Sequence, residues 1–142
     1  MAKATRVQAV RYRFQYAAKF ICTSNIPGTS QTSDAVLPGI YQTAVNIHNP
    51  QNRKVRFRKK IASPLGISKY FDGILEADGV TRVTCSQIQD FGITFIHGFE
   101  GFLVIESTDS LDVTAVYTAG ERGGQVTSID VEQINERKLA LR

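Results

Sequence analysis

The sequence predicts an all-β chain: a single antiparallel β-sandwich of about seven strands, of immunoglobulin-like size, with an open barrel as the alternative. Three observations carry this. Several runs alternate apolar and polar side chains, as half-buried strands do. Clusters of Gly, Pro, Asn, Asp and Ser interrupt those runs at intervals of about 8–12 residues. No stretch keeps amphipathic helical spacing long enough to pack a helix on a core. The 142 residues suffice for one domain that hides roughly two thirds of its unfolded surface, so no disulfide or metal is needed as a staple. With 42% hydrophobic and 21% charged residues, collagen, disorder and a disulfide scaffold are excluded.

Each element follows from its local pattern. Arg11 to Thr23 places Tyr12, Phe14, Tyr16, Ala18, Phe20 and Cys22 on one face against Arg13, Gln15 and Lys19. Thr23 to Gly39 is a long polar loop, of a length that is often functional. Ile40 to His48 alternates again, and Asn49-Pro50-Gln51-Asn52 turns the chain. The third strand, Lys54 to Ala62, directs Val55, Phe57 and Ile61 inward, and a hairpin with the second strand is the natural pairing. Ser63 to Gly79 is read as a loop with one helical turn or a short strand near Gly73 to Leu75. Val80 to Ile88, Gly101 to Ser107 and Leu111 to Ala119 read as strands, and Gly120 to Gly124 as a hairpin loop into Val126 to Ile134. The whole of 1–142 forms one domain, with a polar arm at 1–10 and a basic tail at 135–142.

Charge is divided unevenly. The formal net charge is +4, yet residues 1–60 carry 11 basic side chains against the single acid Asp34, and residues 61–142 carry six against 12 acids. One strand creates the basic character, since Arg53, Lys54, Arg56, Arg58, Lys59 and Lys60 fall within eight positions. In a strand, Arg56, Arg58 and Lys60 share one face while Val55 and Phe57 anchor the other. Such a row serves as a solvated, aggregation-blocking edge, as a surface that docks onto the acidic half of this chain or of a neighbour, or as a polyanion site. Nucleic acid is the least favoured partner, because no aromatic RNA-binding motif or recognition helix accompanies the row.

Chemistry-bearing motifs are sparse. His48, His97, Cys22 and Cys85 could supply a zinc tetrad, but their scattered spacing lacks the paired-ligand signature, so no metal or other cofactor is expected. Cys22 and Cys85 sit on apolar faces where thiols are unreactive, so no nucleophile is expected and the chain reads as non-enzymatic. Two buried free thiols are the plainer reading of these cysteines and a Cys22–Cys85 disulfide the sharper one. Glu106, Asp109 and Asp112 lack calcium-loop spacing and read as solvated carboxylates. Gly120 to Gly124 fits no phosphate-binding pattern. The first residues show no secretory signal and no run approaches a membrane span. The default compartment is cytoplasmic, or that of a mature exported form if the cysteines are bonded.

The segments YAAKFIC (16–22), YQTAVNIHNP (41–50) with Phe57-Arg58-Lys59-Lys60, GFLVIES (101–107) and LDVTAVYTA (111–119) resemble a family of short uncharacterised bacterial and archaeal proteins. The likeness runs from about Tyr16 to Ile134 and implies no chemistry. In pattern alone the chain is also similar to the small β-sandwich transducers that partner microbial sensory rhodopsins, which implies an oligomeric binding module. The expected function is therefore a structural, self-associating subunit of a homo-oligomer or polymer, held by complementary basic and acidic surfaces. The alternative is a small-ligand or polyanion-binding module built from the Thr23 to Gly39 loop and the basic strand.

Overall fold

The computed structural model describes residues 9–23, 36, 39–94, 98–121 and 125–140. Strands are β1 Phe14–Cys22, β2 Ile40–His48, β3 Val55–Ser63, β4 Gly66–Ile67, β5 Phe71–Leu75, β6 Val80–Thr84, β7 Phe99–Ser107, β8 Asp112–Gly120, β9 Val126–Gln133 and β10 Arg137–Lys138, with a 3₁₀ helix at Cys85–Phe91 between β6 and β7. Sheet A runs β10-β1-β7-β3-β4, with β5 also on β3, and sheet B runs β6-β2-β8-β9. All the pairings are antiparallel, and the two sheets form a sandwich that does not close into a barrel.

The alternation in the sequence is what builds the core. Tyr16, Ala18, Phe20 and Cys22 of β1, Val45 and Ile47 of β2, and Val55, Phe57 and Ile61 of β3 are buried, and they meet Leu103 and Ile105 of β7 and Val113 and Ala115 of β8 in one cluster. Each larger apolar side chain buried this way contributes about 1.5–3 kcal/mol relative to exposure. Gly73 is opposite Phe57 across the β3–β5 pair. A Cβ there would lie 2.5 Å from the Phe57 ring, so only glycine lets β5 cover that ring.

Two sequence expectations about the strands need correction. The β2–β3 hairpin does not form: β2 lies between β6 and β8, and β3 between β7 and β5. The cause is Asn49, which is fully buried and donates to the carbonyls of Arg53, Leu75 and Glu76 at 2.8–3.2 Å, while its Oδ1 accepts the Gln51 N–H. That bonding makes the Asn49-Pro50 segment a crossover between sheets instead of a hairpin turn.

The strand expected over Val80 to Ile88 ends at Thr84, because Thr84 and Gln87 form a reciprocal capping box that starts the 3₁₀ helix. Gly92, at φ 78°, ends that helix in the left-handed conformation. In the Ser63 to Gly79 stretch the short strand expected near Gly73 to Leu75 is β5, which starts at Phe71, and the two-residue β4 precedes it; within the expected basic tail Arg137 and Lys138 pair with β1. Residues 1–8, most of the Thr23 to Gly39 loop, His97, Arg122 to Gly124 and residues 141–142 lie outside the described residues. Among the described residues no helix is long and apolar enough to cross a membrane.

Candidate functional site

The basic strand is the densest chemical feature, and its register decides what each cation meets. On the outer face of sheet A, Gln15, Glu106, Arg58 and Asp72 are neighbours across β1, β7, β3 and β5. Glu106 is 5% exposed despite its outward position. Arg58 donates to Glu106 Oε1 from Nε at 2.9 Å and from Nη2 at 2.5 Å, and Gln15 donates to Oε2 at 3.0 Å. A buried carboxylate needs such partners, because desolvation of an unpaired charge costs several kcal/mol.

Two tyrosines complete the site. The Arg58 guanidinium lies 4.3 Å from the Tyr12 ring centre and 4.0 Å from that of Tyr70, and Lys60 Nζ lies 4.6 Å from Tyr70. Cation–π contacts of this kind hold the arginine plane flat against the rings. The Tyr12 hydroxyl reaches Asp72 at 3.4 Å, and burial, then the Asp72 charge, push that phenol above its ordinary value. The sequence pattern places Tyr12 on the apolar face of the first strand, but β1 begins at Phe14 and Tyr12 stacks on Arg58 instead; Tyr70 lies in the stretch read as loop.

The six basic residues therefore divide. Arg53 pairs with Asp109, Lys54 with Glu76 at 3.6 Å and Arg58 with Glu106. Arg56 is exposed and makes no ion pair among the described residues. Lys59 departs from the expected solvated row: it shares the inward face with Phe57 and Ile61, and burial pushes its amine below the ordinary lysine value, with Asp90 opposing. Of the alternatives for the row, docking onto the acidic half of the same chain accounts for Arg53, Lys54 and Arg58. Lys19 of β1 likewise pairs with Glu100 of β7.

The remaining candidates are structural. Cys22 and Cys85 are bonded at 2.10 Å, which corrects the reading as free thiols. The bond ties the end of β1 in sheet A to the first residue of the 3₁₀ helix that follows β6 of sheet B. His48 does not meet the cysteines: its Nδ1 lies 2.8 Å from Asp112 and its Nε2 2.7 Å from Asp78, and the two carboxylates push its pKa above 6.5. The acidic trio also disperses, with Glu106 on Arg58, Asp109 on Arg53 and Asp112 on His48. No group of side chains among the described residues could hold a metal.

Strand β9 differs from all of these. All eight of its residues are exposed, with Val126, Ile129 and Val131 each more than 60% open. Register with β8 puts Val131 beside Val116 and Ile129 beside Thr118 on the outer face of sheet B. Asp130 and Glu132 lie on the other face, opposite Tyr117 and Ala115 of β8; burial first, then these acids, push the Tyr117 phenol up to about 12.

The fold defines the class: an all-β, two-sheet sandwich. No family model matches the chain, and no curated protein matches it. The crystal structure of Thermotoga maritima 1070 is similar at a TM-score of 0.53 and 8% identity, over 82% of this chain and 91% of that chain. At that identity the likeness concerns the sandwich alone.

Proposed function

We propose that the protein works by association, as a non-enzymatic subunit of a homo-oligomer or polymer. The observation that carries the reading is β9. Among the described residues it is an edge strand with no strand paired on its outer side, exposed along its whole length, apolar on one face and acidic on the other. Natural edges of this length are usually blunted by lysine, proline or a covering loop. Ile129 and Val131 are open instead, and Asp130 and Glu132 make no ion pair among the described residues. Arg11, Arg13 and Arg56 are exposed and likewise make no ion pair among the described residues, so charge complementarity with β9 of a neighbouring copy supplies steering. A contact between two different surfaces repeats into a ring or filament. Light scattering on the wild type and on Ile129→Asp/Val131→Asp tests this: the wild type gives a multiple of 15.7 kDa and the variant gives the monomer.

A second reading, a polyanion-binding face, is favoured by the Tyr12–Arg58–Tyr70 stack with Lys60 and Arg56 beside it, since aromatic rings among cations suit single-stranded nucleic acid. It predicts that heparin or single-stranded DNA binds with an affinity that falls as salt rises, and that Arg56→Glu with Lys60→Glu abolishes binding without unfolding. Unchanged binding by that variant removes this reading.

A further inference from the structure

A second set of exposed large apolar side chains lies on the edge of sheet A farthest from β10. Leu65, Ile67 and Ile74 are 70%, 71% and 57% exposed, on the chain that runs back along β3 as β4 and β5. Among the described residues neither β4 nor β5 pairs with any strand but β3. Ile67 is opposite Ala62 and Ile74 opposite Arg56, so both share the outer face of the sheet. Cations that make no ion pair among the described residues border this edge: Arg56, Lys60 with its amine over Tyr70, and Lys69 with its amine 5.3 Å from the centre of the Phe71 ring. Asp72 is the acid of the strand and accepts from the Tyr12 hydroxyl, while Glu76, just past its end, faces Lys54.

Strand β9 is the opposite in charge. Val126 to Gln133 holds Asp130 and Glu132 and no basic residue, with Val126, Ile129 and Val131 open. We propose that β9 of one copy adds as a strand to the β4–β5 edge of the next, an inference that rests on association through β9. Strand addition satisfies main-chain groups on both edges, and the alternating side chains set specificity. Laid with Ile129 and Val131 on the face of Ile67 and Ile74, β9 turns Asp130 and Glu132 to the face of Phe71, where Lys69 sits; Arg56 and Lys60 add attraction at longer range. The other edges suit β9 less. A two-fold β9–β9 pair sets four carboxylates on one shared face, and like charges across a pair destabilise it. Strand β6 offers one exposed large apolar side chain, Val80, and one cation, Arg82, and β10 is two residues long. Because β9 and the β4–β5 edge are different surfaces, assembly runs head to tail.

Mixing two variants in low salt, with mass read by light scattering, tests it. Ile67→Asp/Ile74→Asp disables the edge and leaves β9 intact; Ile129→Asp/Val131→Asp does the reverse. Each alone is a monomer of 15.7 kDa. Mixed in equal amounts they give a heterodimer of twice that mass that grows no further, since one intact β9 and one intact edge remain between them, and the pairing itself shows that both variants fold. Separately, Arg56→Glu/Lys69→Glu weakens assembly about tenfold or more, and adding Asp130→Lys/Glu132→Lys to the same chain restores it. If Ile67→Asp/Ile74→Asp assembles as the wild type does, as a two-fold contact through β9 or addition to β6 requires, the edge is the wrong acceptor and association through β9 still stands. Variants that keep the wild-type urea midpoint yet stay monomeric when mixed also overturn the proposal, as does charge reversal at Arg56 and Lys69 without effect. A wild type that is monomeric in low salt overturns both this proposal and the association on which it rests.

Discussion

On the outer face of sheet A charge is dense and is answered within the chain: Gln15, Glu106, Arg58 and Asp72 form one row, and Lys19 meets Glu100 beside it. On the outer face of sheet B, one row reads Thr84, Ala44, Val116, Val131 and another Gln42, Thr118, Ile129, with no charge in either. Arg82 stands beside Asn46 in the next row, and the His48–Asp112 pair beyond it. The contrast shows where the dipolar sequence goes. Lys19, Arg53, Lys54 and Arg58 of the first 60 positions are matched by acids of the later ones, so those cations build the fold, while Arg56 makes no ion pair among the described residues. Apart from Arg82 and the His48–Asp112 pair, the outer face of sheet B is uncharged, and the β9 edge beside it is exposed along its length.

Three perturbations break or sharpen that contrast. The largest acts on the bond that joins the two sheets. Cys22 and Cys85 close a loop across a separation of 63 residues, so replacing both with serine lowers unfolding free energy by about 4 kcal/mol on loop-closure grounds. Urea melts of the oxidised wild type and the double variant measure the loss, and equal midpoints would refute it.

Next comes the charged face itself. Glu106→Ala strips Arg58 and Gln15 of their shared acceptor and costs about 3 kcal/mol, because it leaves a half-buried guanidinium unpaired. Thr114→Ala, on the outer face of sheet B, stays within about 0.5 kcal/mol. Comparable losses at the two positions would erase the distinction between the faces.

The smallest effect lies at the charged end of sheet B. Asp78 and Asp112 raise the folded-state pKa of His48 above its unfolded 6.5. The stability it contributes is therefore complete below pH 6.5 and is lost as pH rises through the higher folded value. His48→Gln flattens that part of the stability profile, and NMR titration of the imidazole gives the shift directly. A folded pKa at or below 6.5 contradicts the geometry.

Much of this architecture was legible beforehand, for physical reasons that differ by element. Tyr41 to Ile47 alternates strictly, and the span expected for β2 is the one observed, because a period of two leaves no other way to bury one face. The crossover at Asn49 was not legible, since it depends on carbonyls of Leu75 and Glu76 that are remote in sequence. Nor was the 3₁₀ helix, where the local Thr84/Gln87 cap overrode an apolar pattern running on to Ile88. At the candidate site, the cations were visible as a run, but which of them would be neutralised was not. Glu106, Asp109 and Glu76 reach Arg58, Arg53 and Lys54 only through strand order, and Lys59 turns inward simply because it follows Arg58.

The central claim is that open β9 takes a neighbouring copy, and molar mass by light scattering on a size-exclusion column tests it most directly. In low salt the wild type elutes as a multiple of the 15.7 kDa chain, smaller in high salt as the charge contribution is screened, while Ile129→Asp/Val131→Asp elutes as a folded monomer in both. A wild type that is monomeric in both salts, or a variant that assembles as the wild type does, contradicts the account.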